Sequence, residues 1–310
     1  MNISAMIISD IQSDILTAEI NKALYERTNF NMRVETLDFI DFHVIGRIES
    51  LIQKENLNEE LGLLRTRAIN LMIELKKIDS DLFQQLRQQI RIVNDKGLLL
   101  KEIIFKYLGT DITAIEQSHK VGYDNLDIFI NELFSIQIIP EPTKDKEPEM
   151  VFYQKTPARI IFEMLGVAKI KPDDVFFDVG SGLGQVVILV NMITGVSANG
   201  IEYEPAYCEY AKQSASELNL SNVSFINEDA RNMDYSEGTV FFLYTPFEGK
   251  MLQEVMRLLQ KVAQKKGIRV FTYGPCSILI AQLNWLSCLT EKPDNFNRLY
   301  EFRSVIHENI

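Results

Sequence analysis

Three cysteines and three histidines are all that 310 residues contain. Cys208, Cys276 and Cys288 are too scattered for a disulfide framework or for zinc-ligand spacing, which points to a reducing compartment. His43, His119 and His307 are equally dispersed, so no metal site is expected. No stretch approaches the roughly 18 apolar residues of a membrane-spanning helix. Met1 to Ile11 lacks a basic leader and contains Asp10, so a secretory signal is not expected and the expected location is cytoplasmic. Positive charge is also scarce. The net charge is −11, with most of the excess before residue 150. Non-specific affinity for nucleic acid comes mainly from neutralised phosphates, so bulk DNA or RNA binding is not expected. Lys261, Lys265, Lys266 and Arg269 lie close together, but the first three end a predicted helix, where cations suit the dipole.

What remains is ordinary globular composition, 46% apolar and 24% charged, in a chain long enough for two domains. Residues 1 to about 110 read as helical. Ile8, Ile11, Ile15 and Leu24 recur near helical spacing, Thr28 to Glu35 interrupts the pattern, and Leu37 to Ile52 resumes it. Leu61, Leu64, Ala68, Leu71, Met72 and Leu75 make one apolar stripe. Ser80 is placed to cap a further helix from Asp81 to Val93, which Asn94 to Gly97 ends. Leu98 to Leu108 reads as a short helix closed by Gly109. Thr113 to Glu116 has capping-box form, and Asp124 is placed to cap a helix from Asn125 to Phe134. The reading is an α-helical N-terminal domain over residues 1–139, with no visible chemistry and a possible partner-binding or dimerising role. Residues 140–150 hold three prolines and alternating charges, and read as an exposed linker. Thr156 then caps a helix that starts at Pro157.

The second domain, 151–310, is organised around VFFDVGSGLGQVV at Val175 to Val187. Val175, Phe176 and Phe177 read as a buried parallel strand. Gly180, Gly182 and Gly184 form a tight turn that allows close backbone approach. Gln185 to Ile193 is the following helix. Strand, glycine turn and helix make the first half of a nucleotide-binding βαβ unit. A dinucleotide fingerprint needs glycine at Gln185, and Asp178 would repel a pyrophosphate. The pattern present, D-x-G-x-G-x-G, resembles the first motif of the class I methyltransferases that use S-adenosylmethionine (SAM). SAM carries an ammonium and a sulfonium, both suited to Asp178.

That resemblance implies further roles. Glu202, ending the strand Ser197 to Glu202, binds the SAM ribose, with Glu204 as fallback. Asp229 and Ala230, after the strand Val223 to Ile226, sit at the adenine. The loop after the strand Thr239 to Tyr244 faces the methyl group. The helices Pro205 to Leu218 and Gly249 to Val262, the strand Gly267 to Thr272 and an antiparallel hairpin of Trp285 to Thr290 with Arg298 to Val305 complete the layout. The implied fold is α/β: a Rossmann-like methyltransferase sheet with helices on both faces, preceded by the helical domain.

From Tyr153 to Val187 the sequence resembles a narrower family, the disruptor-of-telomeric-silencing (non-SET histone lysine methyltransferase) proteins. Tyr153 and Thr156 match that family's aromatic-led loop. Asp173 and Asp174 match its acids, and Asp178 with Gly180-Ser181-Gly182-Leu183-Gly184-Gln185-Val186-Val187 matches its core. The resemblance covers about a third of the chain. It implies a SAM-dependent methyltransferase acting on a protein lysine or other amine, with Tyr244, Thr245, Phe247 and Tyr153 at the reacting centre. Thr156, Asp178, Gly180, Ser181, Gly182, Gly184, Gln185, Glu202, Asp229 and Ala230 would hold the cofactor. Two departures stand against a full match. Tyr244-Thr245-Pro246-Phe247 replaces the family's asparagine-led segment, and lysine-rich segments are missing. The alternatives are a non-catalytic SAM-binding protein and a methyltransferase acting on RNA or a small molecule. Thr245-Pro246-Phe247 resembles the loop of amide and adenine N-methyltransferases without its leading Asp or Asn.

Overall fold

The structure is a computed structural model and describes residues 3–55, 59–112, 121–135, 139–289 and 292–305. The expected capping box at Thr113 to Glu116, together with His119 and His307, lies outside those residues, as does part of the hairpin turn. Packing divides the chain into two compact units, residues 1–86 with 102–110, and residues 87–101 with 111–310.

The first unit is helical. Helix α1 spans Ile3–Ile20. Helix α2, Phe30–Asp38, passes through a π turn, Phe39–Ile45, into α3, Gly46–Glu55. Helix α4 spans Glu59–Ile92. Ile11, Ile15, Ile40, Val44, Ile48, Leu61, Leu64, Ala68, Leu71 and Leu75 form one core cluster, as their spacing implies. Two boundaries differ from expectation. The interruption at Thr28 is short, because the helix restarts at Phe30. Arg33, fully buried, donates to the carbonyls of Leu24, Glu26 and Arg27 and to the Asp79 carboxylate, which folds the turn onto the helix that follows. Ser80 does not start a helix. It lies exposed inside α4, because the buried stripe runs unbroken through Leu75, Asp79, Leu82 and Leu86, and an exposed serine costs a helix only a few tenths of a kcal/mol. Helix α5 spans Lys96–Leu108, with Gly109 at φ +67° beyond it. Asp95 accepts the Leu98 N–H at 2.8 Å, so Asn94 to Gly97 opens α5 as well as ending α4.

In the second unit, α6 (Asn125–Leu133) carries a reciprocal capping box between Asp124 and Asp127. Helix α7 spans Ala158–Ala168 and has no side-chain cap of its own. Thr156 is not its cap. The buried Asp127 carboxylate takes the Ala158 N–H at 2.7 Å, tying α6 to α7.

Among the described residues, seven strands form a single sheet: β1 Val175–Val179, β2 Ser197–Glu202, β3 Val223–Asn227, β4 Val240–Leu243, β5 Arg269–Thr272, β6 Leu286–Cys288 and β7 Tyr300–Ser304. Their order is β3-β2-β1-β4-β5-β7-β6. The first five are parallel, and β7 enters antiparallel between β5 and β6, as a terminal hairpin requires. Helices α8 (Gln185–Thr194), α9 (Pro205–Glu217) and α10 (Gly249–Ala263) connect successive strands. Phe177, Val179, Phe241, Leu243 and Val270, alternate residues of neighbouring strands, share one core with Met251, Val255, Met256 and Leu259 of α10. Helix α8 packs on β1, β2 and β3 with none of its residues in that core, so it covers the other face. The short α11 (Cys276–Ile280) follows β5. Strand β1 is flanked by β2 and β4, so the chain order reverses there. The carboxyl end of such a switch point is where an open α/β sheet binds ligands.

Candidate active site

Strand β1 runs directly into the glycine turn. Gly180, Gly182 and Gly184 have φ of +83°, +52° and +81°. A Cβ at Gly180 would meet the Pro246 ring at 2.3 Å, and one at Gly182 would meet the Tyr153 ring at 2.1 Å. Only glycine satisfies both the backbone angle and the approach. The N–H groups of Gly180 and Ser181 both donate to the Ile201 carbonyl at 2.9 Å, which locks the turn to the end of β2.

Buried polar groups cluster around this turn, and those of Ser181 and Gln185 lack protein partners. Asp178 is 3% exposed. Burial, and then the charge of Glu202, pushes its carboxyl well above the usual carboxylate range. The Ser181 hydroxyl and both amide atoms of Gln185 are buried and make no hydrogen bond. Thr156 is buried as well. Buried polar atoms are nearly always satisfied, so orphans clustered on one turn point to a ligand that supplies their partners. A carboxylate, an amide and a hydroxyl are a donor and acceptor set suited to the ammonium and carboxylate of an amino acid, as at the methionine end of SAM.

Glu202 ends β2 and accepts the N–H groups of Gly182 (2.7 Å) and Glu204 (2.8 Å). Burial raises its pKa, and these hydrogen bonds moderate the rise. Glu204 is committed elsewhere. It caps α9 through the Ala206 N–H and accepts from the Thr143 hydroxyl and the Lys144 N–H. Burial opposes ionisation there, but those hydrogen bonds win and hold its pKa at about 2. Asp229 accepts from the backbone and guanidinium N–H groups of Arg231, which lower its pKa.

A cavity of about 620 Å³ opens at these strand ends. Gly180, Glu202, Asp229, Ala230, Tyr153, Tyr244, Thr245 and Phe247 line it, eight of the sequence-expected positions. Asp178, Ser181, Gly182, Gly184, Gln185 and Thr156 are not among its lining residues. Tyr153 belongs to both groups, since it lines the cavity and its ring covers Gly182. Burial holds its phenol protonated, with the Leu183 N–H opposing the rise. Its ring lies 5.3 Å from that of Tyr207, and Tyr244 lies 4.9 Å from Tyr273.

The loop after β4 is braced from within the fold. Thr245 has φ +39°, an unfavourable angle for a β-branched residue. Its hydroxyl donates to the Tyr273 carbonyl and accepts the Cys276 N–H, so it braces this loop against the one after β5. Phe247 is 4% exposed and belongs to the core under α10 as much as to the cavity. Burial keeps the Tyr244 phenol neutral.

Sequence reasoning missed several lining residues. Tyr203 and Tyr207 follow Glu202, and Phe296 and Asn297 come from the segment before β7. It also missed that residues 142–152 form one wall. Charge alternation in that segment was the available signal, but its partners Glu204 and Arg231 are more than fifty residues away. Among the described residues, no cluster of His, Cys, Asp and Glu is arranged to hold a metal. No described helix is long and apolar enough to cross a membrane.

Residues 149–284 match the family described as Histone methylation protein DOT1. A protein-lysine N-methyltransferase of Saccharolobus islandicus (strain REY15A) is 25% identical over 130 residues, 39% of this chain and 74% of that protein. Among solved structures, the chain is similar to an RNA methyltransferase from Salinibacter ruber in complex with S-adenosyl-L-homocysteine. That pair is 26% identical, covers 51% of this chain and 96% of the other, and has a TM-score of 0.41. It is also similar to a mutant of MtNAS in complex with S-adenosylmethionine, 14% identical over 99% and 100% of the two chains with a TM-score of 0.38. Superpositions this loose say nothing about substrate. The family match, the relative and the sheet order together make the protein a class I SAM-dependent methyltransferase similar to the DOT1 proteins.

Proposed function

We propose that this SAM-dependent methyltransferase methylates a protein, at the side-chain nitrogen of a lysine. The observation that carries the reading is the aromatic part of the cavity lining. Tyr153, Tyr244, Phe247 and Phe296 line the cavity, and the described lining cations are only Lys144 and Lys146. A lysine nitrogen must lose its proton before it reacts, and an apolar aromatic channel disfavours the ammonium. The resemblance to DOT1 and to a protein named a lysine methyltransferase supports the same acceptor.

SAM supplies an activated methyl group on its sulfonium. The protein's work is therefore positioning and exclusion of water. In this reading Asp178 holds the ammonium of the cofactor's amino-acid end, and Gln185, Ser181 and Thr156 satisfy its other polar groups. Glu202 takes the ribose hydroxyls, Asp229 the adenine amino group, and Gly180, Gly182, Gly184 and Ala230 give close approach. Thr245 fixes the loop that carries Tyr244 and Phe247 toward the acceptor. Tyr153 closes the space over Gly182.

The test is methyl transfer from tritiated SAM into a cell lysate separated into protein, RNA and small molecules. Label in protein that survives acid hydrolysis as methyllysine is the expected result. Label confined to RNA or to small molecules would overturn the lysine assignment.

A further inference from the structure

Residues 140–150 read as an exposed linker, yet in the structure residues 143–151 are fastened beside the cavity at several points. The Glu204 carboxylate holds the Thr143 hydroxyl (2.7 Å) and the Lys144 N–H (2.9 Å). The Lys144 ammonium donates to the Tyr203 carbonyl and stands 4.5 Å from the centre of the Tyr203 ring. The Arg231 guanidinium donates to Glu147 at 2.7 Å. Glu149 accepts the Met251 N–H, and its carbonyl takes the Glu248 N–H. Val151 donates to the Pro246 carbonyl, and Met150 pairs with Phe247. Within the segment, Lys146 sits 3.7 Å from the centre of the Phe152 ring.

These attachments fall on the carboxyl ends of β2, β3 and β4. They reach Glu202 through Glu204, whose N–H the Glu202 carboxylate accepts, and Asp229 through Arg231. Its Nε and Nη2 hold both oxygens of Asp229, while Nη2 also holds Glu147. With the Arg231 backbone N–H also on Oδ1, both Asp229 oxygens are held by one residue, which sets the orientation of the carboxylate. Lysine has no planar fork with which to serve two carboxylates in this way.

We propose that residues 143–152 form a strap over the nucleoside end of the cofactor pocket. Arg231 is the positioning residue that joins this strap to Asp229, so strap closure and adenine binding are coupled. The inference rests on the assignment of this cavity to SAM. Its consequence is that the Glu147–Arg231 contact sets how fast cofactor and demethylated product leave.

The experiment is surface plasmon resonance of S-adenosylhomocysteine on the full chain, in wild type, Glu147→Gln, Arg231→Gln and the double variant. Hydrogen exchange over residues 141–152 is measured alongside. The Glu147 side chain is 40% exposed, so its substitution is expected to spare the fold. Release from E147Q is expected to be about tenfold faster, with association changed less than threefold. The double variant should release no faster than R231Q. Exchange in the strap should quicken in E147Q and slow when S-adenosylhomocysteine binds. A purely structural role would lower the melting temperature of E147Q and leave release unmoved, which would overturn the proposal. Effects that multiply in the double variant would overturn the coupling through Arg231. If wild type fails to bind S-adenosylhomocysteine, the cofactor assignment falls and the strap proposal with it. Normal binding with unchanged release sinks the strap alone.

Discussion

Asp178 is the buried charge on which the cofactor assignment leans hardest, and Asp178→Asn separates its two effects. The carboxyl is 3% exposed, has Glu202 rather than a cation as its charged neighbour, and is pushed above its usual range by burial. In the free protein it is a liability. Because its folded pKa is raised, the stability linked to it is fully present below the unfolded value near 3.8 and is lost as pH rises through the folded pKa. The isosteric amide in Asp178→Asn lacks that loss. This variant should therefore melt higher than wild type at pH 8, with the gap closing toward pH 4. With cofactor present the order reverses. A hydrogen bond to a charged group contributes about 1.5–3 kcal/mol, so removing the carboxylate should weaken SAM binding by roughly 10- to 150-fold. The cofactor ammonium favours the ionised acid, so the affinity advantage of wild type should grow with pH across that window. Calorimetry at pH 6, 7 and 8, with melting curves of the free proteins, reads both effects. An Asp178→Asn protein that binds SAM within threefold of wild type, or that melts lower at pH 8, would refute the reasoning.

Other substitutions test the frame around the site. Gly182→Ala places a Cβ 2.1 Å from the Tyr153 ring at φ +52°. It should lower stability by at least the ~1–2 kcal/mol of the left-handed angle alone, and an unchanged urea midpoint would contradict this. Asp127→Ala removes the acceptor for the Asp124 and Ala158 N–H groups. At roughly 0.5–2 kcal/mol per cap it should cost about 1–4 kcal/mol by denaturant titration. Arg33→Met strands the buried Asp79, whose pKa burial raises despite the arginine. It should cost about 3–5 kcal/mol, and the double variant with Asp79→Leu should regain part of that loss.

Much of the sheet was legible because β1 and β4 are buried on both faces and the chemistry-bearing residues fall at strand ends. Asp178, the three glycines and Glu202 fall at the ends of β1 and β2, where local pattern and chemistry coincide. What was not legible depended on distant partners. Asp127 completes the cap of its own helix, and nothing local says that it also starts α7. Nothing in the local pattern signals that Arg33 is buried, held by three backbone carbonyls and Asp79. Ser80 is a strong cap by type, but the stripe on both sides of it outweighs that preference. The 140–150 segment has a linker's composition, and its attachments come from the loops after β2, β3 and β4 and from α10. The domain boundary we propose there is not where packing divides the chain, since α6 groups with the sheet. Limited proteolysis that releases residues 151–310 as a stable fragment would support it, and cleavage confined to the neighbourhood of residues 86–111 would count against it.

The central claim is that the cavity beside β1 takes SAM. The most direct measurement is calorimetric titration of the full chain with SAM, with S-adenosylhomocysteine and with NAD. Micromolar binding of the first two at one site per chain, without NAD binding, is the predicted result. Absence of heat from both adenosyl ligands, with the protein folded by circular dichroism, would contradict the account.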